Sequence, residues 1–315
     1  MHLAAKNNQE EIIKILLSQK DIKILDNSFN NCPITDIEIP SSVTYIGRCA
    51  FRDCKFLMNV KIPSSIKNVG DSVFIGCSSI KKIEIPSSFT TLGNSFFYGC
   101  SSLENISIPS TIRSMGDNVF GGCTSLKQIE IPSTMTKIMN DVFNGCSSLT
   151  SIIIPSSIIY IGNGVFRDCK SLVSIEIPDS VKYIGDESFA GCESLKTIKI
   201  PPSVLAIRTK TFLGCKSLES VEIPSSVVSI GEGSFSCCTS LKSIEFPSSL
   251  KNIRKEAFRY CSSLTSINIP SSVIIINKDA FRECSSLYKF EVHSSLNIDN
   301  IGISNNVEVI KINND

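Results

Sequence analysis

A proline recurs every 23 residues from Pro40 to Pro270, eleven times without a slip. Two further series are locked to it. One is a cysteine fourteen residues after each proline, from Cys54 to Cys284; the other is a phenylalanine three residues before each of those cysteines, from Phe51 to Phe281. Phe29 and Cys32 open one more copy that is a residue short, since Cys32 lies eight residues before Pro40. A fixed period of this length means stacked coils, each meeting only its neighbours. Length is then not limited by a single core. That reconciles 315 residues with the absence of any linker or composition break over residues 27–312.

One coil can be read from Leu172-Val173-Ser174-Ile175-Glu176-Ile177-Pro178. Leu172, Ile175 and Ile177 face one way, and the last two keep strict period two, which predicts a short strand with one buried face. Pro178 ends it, because proline cannot donate to a continuing ladder. Val181, Ile184, Phe189 and Cys192 follow at gaps too short, and too interrupted by Gly185, for a helix. The spacing predicts turn-like backbone with a second short strand within 181–184. Each coil inserts about seven apolar groups between its neighbours, so identical residues stack in columns along the axis.

The pattern LxxIxIPxxVxxIGxxxFxxCxSL resembles the BspA-like leucine-rich repeats, over roughly residues 22–312. The resemblance implies a repeat solenoid, mainly β: a leucine-rich-repeat arc whose concave face is one parallel sheet of about 13 short strands, from 34–39 through 307–312. At about 4.8 Å per strand, the arc would be roughly 60 Å long. The solenoid is assigned to residues 26–315, with a degenerate last coil from 293. His293 stands where proline is due, Asp299 where an apolar residue is due, and VEVIKIN then restores a final strand. Residues 1–25 do not fit the frame. Their MHLAAKNNQEEIIKILLS resembles the helical half of an ankyrin repeat, through His2, Leu3, Ala4, Ala5, Ile12, Leu16 and Leu17. This predicts an N-terminal helical segment, read either as a cap over the first strand or as the remnant of an ankyrin array that continues upstream.

The residues for chemistry are missing. Fourteen cysteines invite metal or disulfide readings, but the regular spacing is 23 rather than CxxC, and stacked cysteines would hold parallel Cβ vectors one strand apart. Twelve of them, Cys32 and the eleven in register, read as a buried column of small hydrophobes. Cys49 and Cys237 occupy polar positions and are expected to be exposed. His2 and His293 have no partners for a nucleophilic set, and no glycine-rich phosphate loop is present. The sequence therefore predicts no enzyme, no cofactor and no metal. The serines after each proline read as turn residues bonding local backbone. With a net charge of +1, no overall basic face for nucleic acid is expected, and no apolar run reaches the length of a membrane span.

What remains is surface. Between the buried strand residues runs an outward column: Glu38, Lys61, Glu84, Ser107, Glu130, Ile153, Glu176, Lys199, Glu222, Glu245, Asn268, Glu291. Seven of these twelve are glutamate in an otherwise near-invariant repeat. The candidate protein-binding residues are Glu84, Glu130, Ile153, Glu176, Lys199, Glu222, Glu245 and Glu291, offered to a basic or polar protein. Against this, any solvent-facing sheet is polar, and Lys81, Lys127, Lys196 and Lys242 alongside are expected to neutralise part of the glutamate charge. The leading expectation is a protein-binding module, with adhesion to host or matrix proteins implied by the resemblance. The alternatives are an intracellular ankyrin and leucine-rich scaffold, or a structural spacer. The absence of a signal sequence and the many thiols favour the cytoplasm, while the resemblance also implies a cell surface. The oligomeric state stays open.

Overall fold

The computed structural model describes residues 23–313, which fall in two compact units, Met1–Ser157 and Ile158–Asp315. Each unit is a stack of 23-residue turns paired in parallel, and the β-solenoid has about 13 turns in all. No helix occurs among the described residues. The expected N-terminal helical segment 1–25 lies outside them except for its last three positions. Of these, Lys23–Ile24 is already a strand, parallel to Tyr45–Ile46.

Two strand columns shape each turn. The first carries the LxxIxIP segments. It comprises Asp36–Glu38, Asn59–Lys61, Gln128–Glu130 and Ser151–Ile153 in the first unit. In the second unit it comprises Thr197–Lys199, Ser220–Glu222, Ser266–Asn268, Lys289–His293 and Glu308–Ile312. Lys82 and Asn105 join through single bridges, whereas 174–176 and 243–245 have no strand pairing. The second column follows each proline by five residues and is two residues wide, as at Tyr183–Ile184. Where a glycine follows it, that glycine is packed on backbone: a Cβ on Gly185 would lie 2.5 Å from the carbonyl carbon of Gly162.

The third side is a turn held by left-handed residues four apart, such as Glu187 (φ 55°) and Gly191 (φ 72°). Between them alternate N–H groups donate to the next coil: Glu187 to the Thr209 carbonyl at 3.0 Å, Phe189 to Thr211 at 2.9 Å, and Gly191 to Leu213 at 2.7 Å. The backbone is thus tied to the neighbouring coil on all three sides, which meets the polar demand of a chain with so little conventional secondary structure.

Inside, each column stacks on its own kind. The Phe51 ring lies 5.3 Å from that of Phe74 at 10°, and Phe189 lies 5.2 Å from Phe166 and 5.5 Å from Phe212. The cysteines of the column are buried as expected, but they are more than small hydrophobes. Along the column thiols donate to the phenylalanine carbonyl of the preceding coil, as Cys77 does to Phe51 at 3.0 Å and Cys215 to Phe189 at 3.1 Å, whereas Cys32 in the first coil donates to Asn30 at 3.7 Å. All fourteen cysteines are free. The serines after the prolines also reach across coils rather than locally: Ser180 Oγ donates to the Ile158 carbonyl and Ser226 Oγ to that of Val204, both at 2.7 Å. Cys49 corrects the sequence expectation, since it is buried. It occupies the first left-handed position of its turn (φ 53°), a site that half-covers even polar side chains in most turns and closes over a short one. Cys237, at the second such position (φ 62°), is half-buried.

The last coil departs from the repeat for a visible reason. Without a proline at 293 the strand runs on to His293 and pairs over five residues with Glu308–Ile312. The coil is shorter, and Ile301 rather than Asp299 fills the core and bonds to Phe281.

Replacing Phe189 with alanine, which empties the middle of a three-ring stack, should cost about 3–5 kcal/mol. Loss of hydrogen-exchange protection should centre on its own and the adjoining coils, because coupling is between nearest neighbours; uniform loss across the chain would contradict this. Burial pushes the thiols of Cys100 and Cys146 up to about 12 from an ordinary 9.0. A raised folded value means their contribution is fully present below about pH 9 and is lost as pH rises towards 12, by up to about 1.4 kcal/mol per thiol per pH unit. Urea melts should therefore weaken steeply above pH 9. Cys100→Ser and Cys146→Ser, which keep the donor and remove the titration in this range, should flatten that slope. Maleimide at neutral pH should reach Cys237 well before Cys49 or Cys146.

Candidate functional site

Period two in the first strand column buries Ile198 and Val221 and turns Lys199 and Glu222 outward, in register with each other. The same alternation sets out Glu84, Glu130 and Ile153 in the first unit and Glu176 and Glu245 in the second, all exposed. Ile153 is 62% exposed. Glu291 differs: it is half-buried, and Lys289 lies 2.6 Å from its Oε1. Its carboxylate is therefore engaged within the chain.

Charge along this face is less neutralised than the sequence suggested. Lys127 pairs with Glu104 at 3.7 Å and Lys242 with Glu219 at 3.2 Å, so these lysines are matched by carboxylates of their own flanking column. Glu38 is held by Lys61 at 2.6 Å. Glu84, Glu130, Glu176, Glu222 and Glu245 make no ion pair among the described residues. Where two glutamates would stack one coil apart, the column almost always interposes another residue: Ser107 separates a pair in the first unit and Lys199 a pair in the second. Like charges directly opposite across strands destabilise the sheet, and the interposed residue relieves that. The exception is Glu222 followed directly by Glu245.

That exception sits in a groove. In the second unit, about 510 Å³ of open space is lined by Asp179, Lys199, Ile200, Pro202, Glu222 and Glu245 among others. A second groove of about 360 Å³ adjoins Glu176, Asp179 and Lys199. Both lie where the backbone ladder lapses, beside 174–176 and 243–245. The grooves gather four carboxylates and one amine, a local surplus of negative charge with apolar floors from Ile200 and Ile244. Sequence reasoning had missed Asp179. Its signal was available, since PDS stands at 178–180 where most coils read PSS.

Nothing in this arrangement supplies a nucleophile with a base, and the clustered groups are carboxylates without a histidine or thiol partner. Among the described residues no group of three or more histidine, cysteine, aspartate or glutamate residues is placed to hold a metal ion, and no helix is long and apolar enough to cross a membrane.

A family model described as a BspA type leucine rich repeat region matches residues 22–150, 91–219, 136–261 and 205–313. A leucine-rich repeat protein from Bacteroides ovatus is similar at 30% identity and a TM-score of 0.72, over 92% of this chain and 87% of that one. A leucine rich cell surface protein from Faecalibacterium prausnitzii shows 28% identity and a TM-score of 0.61, over 88% and 87%. A leucine-rich repeat protein from Eubacterium ventriosum shows 27% and 0.64, over 89% and 84%. No curated protein matches the chain. The family matches begin at residue 22, and none of these comparisons supports an ankyrin repeat before it.

Proposed function

The chain belongs to the BspA-type leucine-rich-repeat family, and from that premise we propose that it is a non-enzymatic module that binds a basic protein segment through the first-strand face of its second unit. One observation carries the reading. Glu222 and Glu245 are the only glutamates of the column left directly adjacent, and they line one groove without an ion pair. A fold that elsewhere separates these charges keeps a like-charge contact here, and a bound cationic side chain would relieve it. Asp179 and Glu176 extend the same field, and Lys199 sets a register that a uniformly basic stretch would not match. Glu84 and Glu130 offer a weaker, more dispersed version on the first unit.

The class of protein partner follows from the resemblance in two ways. Adhesion to an extracellular protein is supported by the cell-surface description of the Faecalibacterium relative. An intracellular scaffold is supported by a core of free thiols, which an oxidising compartment would threaten during folding.

The test is capture from a cell lysate and from extracellular matrix, comparing the chain with a Glu222→Gln/Glu245→Gln variant and separately with Glu84→Gln/Glu130→Gln. Capture should fall in the first variant and persist in the second, and should be released by salt as the Debye length shrinks from about 8 Å at 0.15 M to about 3 Å at 1 M. The fraction that supplies the partner distinguishes adhesin from scaffold. Capture indifferent to both variants would return the glutamates to the role of solvated surface and leave a spacer.

A further inference from the structure

The second strand column carries a face of its own, and its charge is opposite. The positions flanking its buried isoleucines in the second unit are residues 159, 182, 205, 228, 251 and 274, then 160, 183, 206, 229, 252 and 275, then 162, 185, 208, 231, 254 and 277. Not one is acidic, while Lys182, Arg208, Lys251 and Arg254 are basic. Lys182, Lys251 and Arg254 are exposed and make no ion pair among the described residues; the Arg208 guanidinium lies 4.6 Å over the Tyr183 ring. Among these cations stand exposed aliphatic side chains. Leu205 is 64% and Ile274 66% exposed, with Ile159, Val228 and Ile275 also uncovered. Backbone bonds of 2.9 Å link Val228 to Leu205, Lys251 to Val228 and Ile274 to Lys251, so these four side chains stand on successive rungs.

The first unit shows that the repeat does not require this. There the leading position reads Thr44, Lys67, Thr90, Arg113 and Thr136, polar throughout. The second unit also breaks its glycine column. Arg208 and Arg254 replace the usual glycine on either side of Gly231, and the groove of about 420 Å³ beside them is lined by both arginines, Lys255, Ser229 and Asn277, and also by Asp186 and Glu232. Asp186 Oδ1 already accepts the Thr209 N–H. The Nε of Arg208 is buried without a hydrogen-bond partner, a donor in want of an acceptor.

We propose that this stripe docks an acidic, aliphatic-rich protein segment, with aliphatic side chains on Leu205, Val228 and Ile274 and a carboxylate between Arg208 and Arg254. Charge chooses the partner's sign, since the strand positions of this face offer four cations and no carboxylate, and of the two acids in the groove Asp186 already accepts the Thr209 N–H. The aliphatic rungs separate it from a polyanion such as nucleic acid or a sulfated polysaccharide, which would gain nothing from Leu205 or Ile274. The arginines two coils apart, about 10 Å, leave room over Gly231 for one planar anion that both can reach.

The experiment is selection from a random peptide library on the full chain, followed by binding of the enriched peptides to two variants. One is Leu205→Ser/Val228→Ser/Ile274→Ser and the other Lys251→Glu/Arg254→Glu. All five positions are exposed, so the fold should survive, and circular dichroism checks it. Peptides combining Asp or Glu with Leu, Ile or Val should be enriched, and each variant should weaken them by about tenfold or more. The Glu222→Gln/Glu245→Gln variant should bind them unchanged, which separates failure here from failure of the reading given for the opposite charge. Enrichment of basic peptides alone, or peptides blind to both variants, would overturn the proposal. So would heparin retention at 0.15 M salt that only the charge variant abolishes, which would mark a polyanion surface. Self-association lost in the same variants would give the stripe to a second copy instead.

Discussion

Everything in this chain answers to one constraint: a side chain at a given place in the coil must pack against its own counterpart one coil away. Backbone hydrogen bonds on three sides fix that distance near the strand spacing of about 4.8 Å. A residue can therefore occupy a column only if its self-contact is favourable or harmless. Phenylalanine stacks, cysteine donates a hydrogen bond from its thiol to a carbonyl of the preceding coil, and serine does the same with its hydroxyl. The 23-residue repetition is the consequence of this rule.

Charge fails the rule, and the chain's handling of it shows where function can lie. Beside the second strand, Asp71, Asn94, Asp117 and Asn140 alternate acid with amide, and the side-chain oxygens of the first three each accept the next coil's N–H. On the first-strand face the glutamates are spaced by other residues in nearly every step. The exceptions are places where the solenoid's own stability does not explain the residue chosen. Adjacent Glu222 and Glu245 are one, and the aliphatic and arginine substitutions of the second unit are another. With net charge near zero, the two strand faces of that unit still carry opposite sign, a segregation that total charge conceals.

The sequence alone determined the period, the inward set of Phe, Cys, Leu and Ile, and the two strand columns, because each is a count along the chain that repetition makes unambiguous. It also placed Glu176, Lys199, Glu222 and Glu245 outward, since period two leaves them no other side. Tertiary structure decided what depends on which side chains come within reach of one another. It buried Cys49, tied Glu291 to Lys289, and spent Lys127 and Lys242 on Glu104 and Glu219 rather than on the glutamate column. It turned the cysteine column into a hydrogen-bond ladder and brought Asp179 into the groove with Glu222. Periodicity states which residues share a face; only the folded coils state which of them touch, because side-chain reach and the small offset between coils are not written in the spacing.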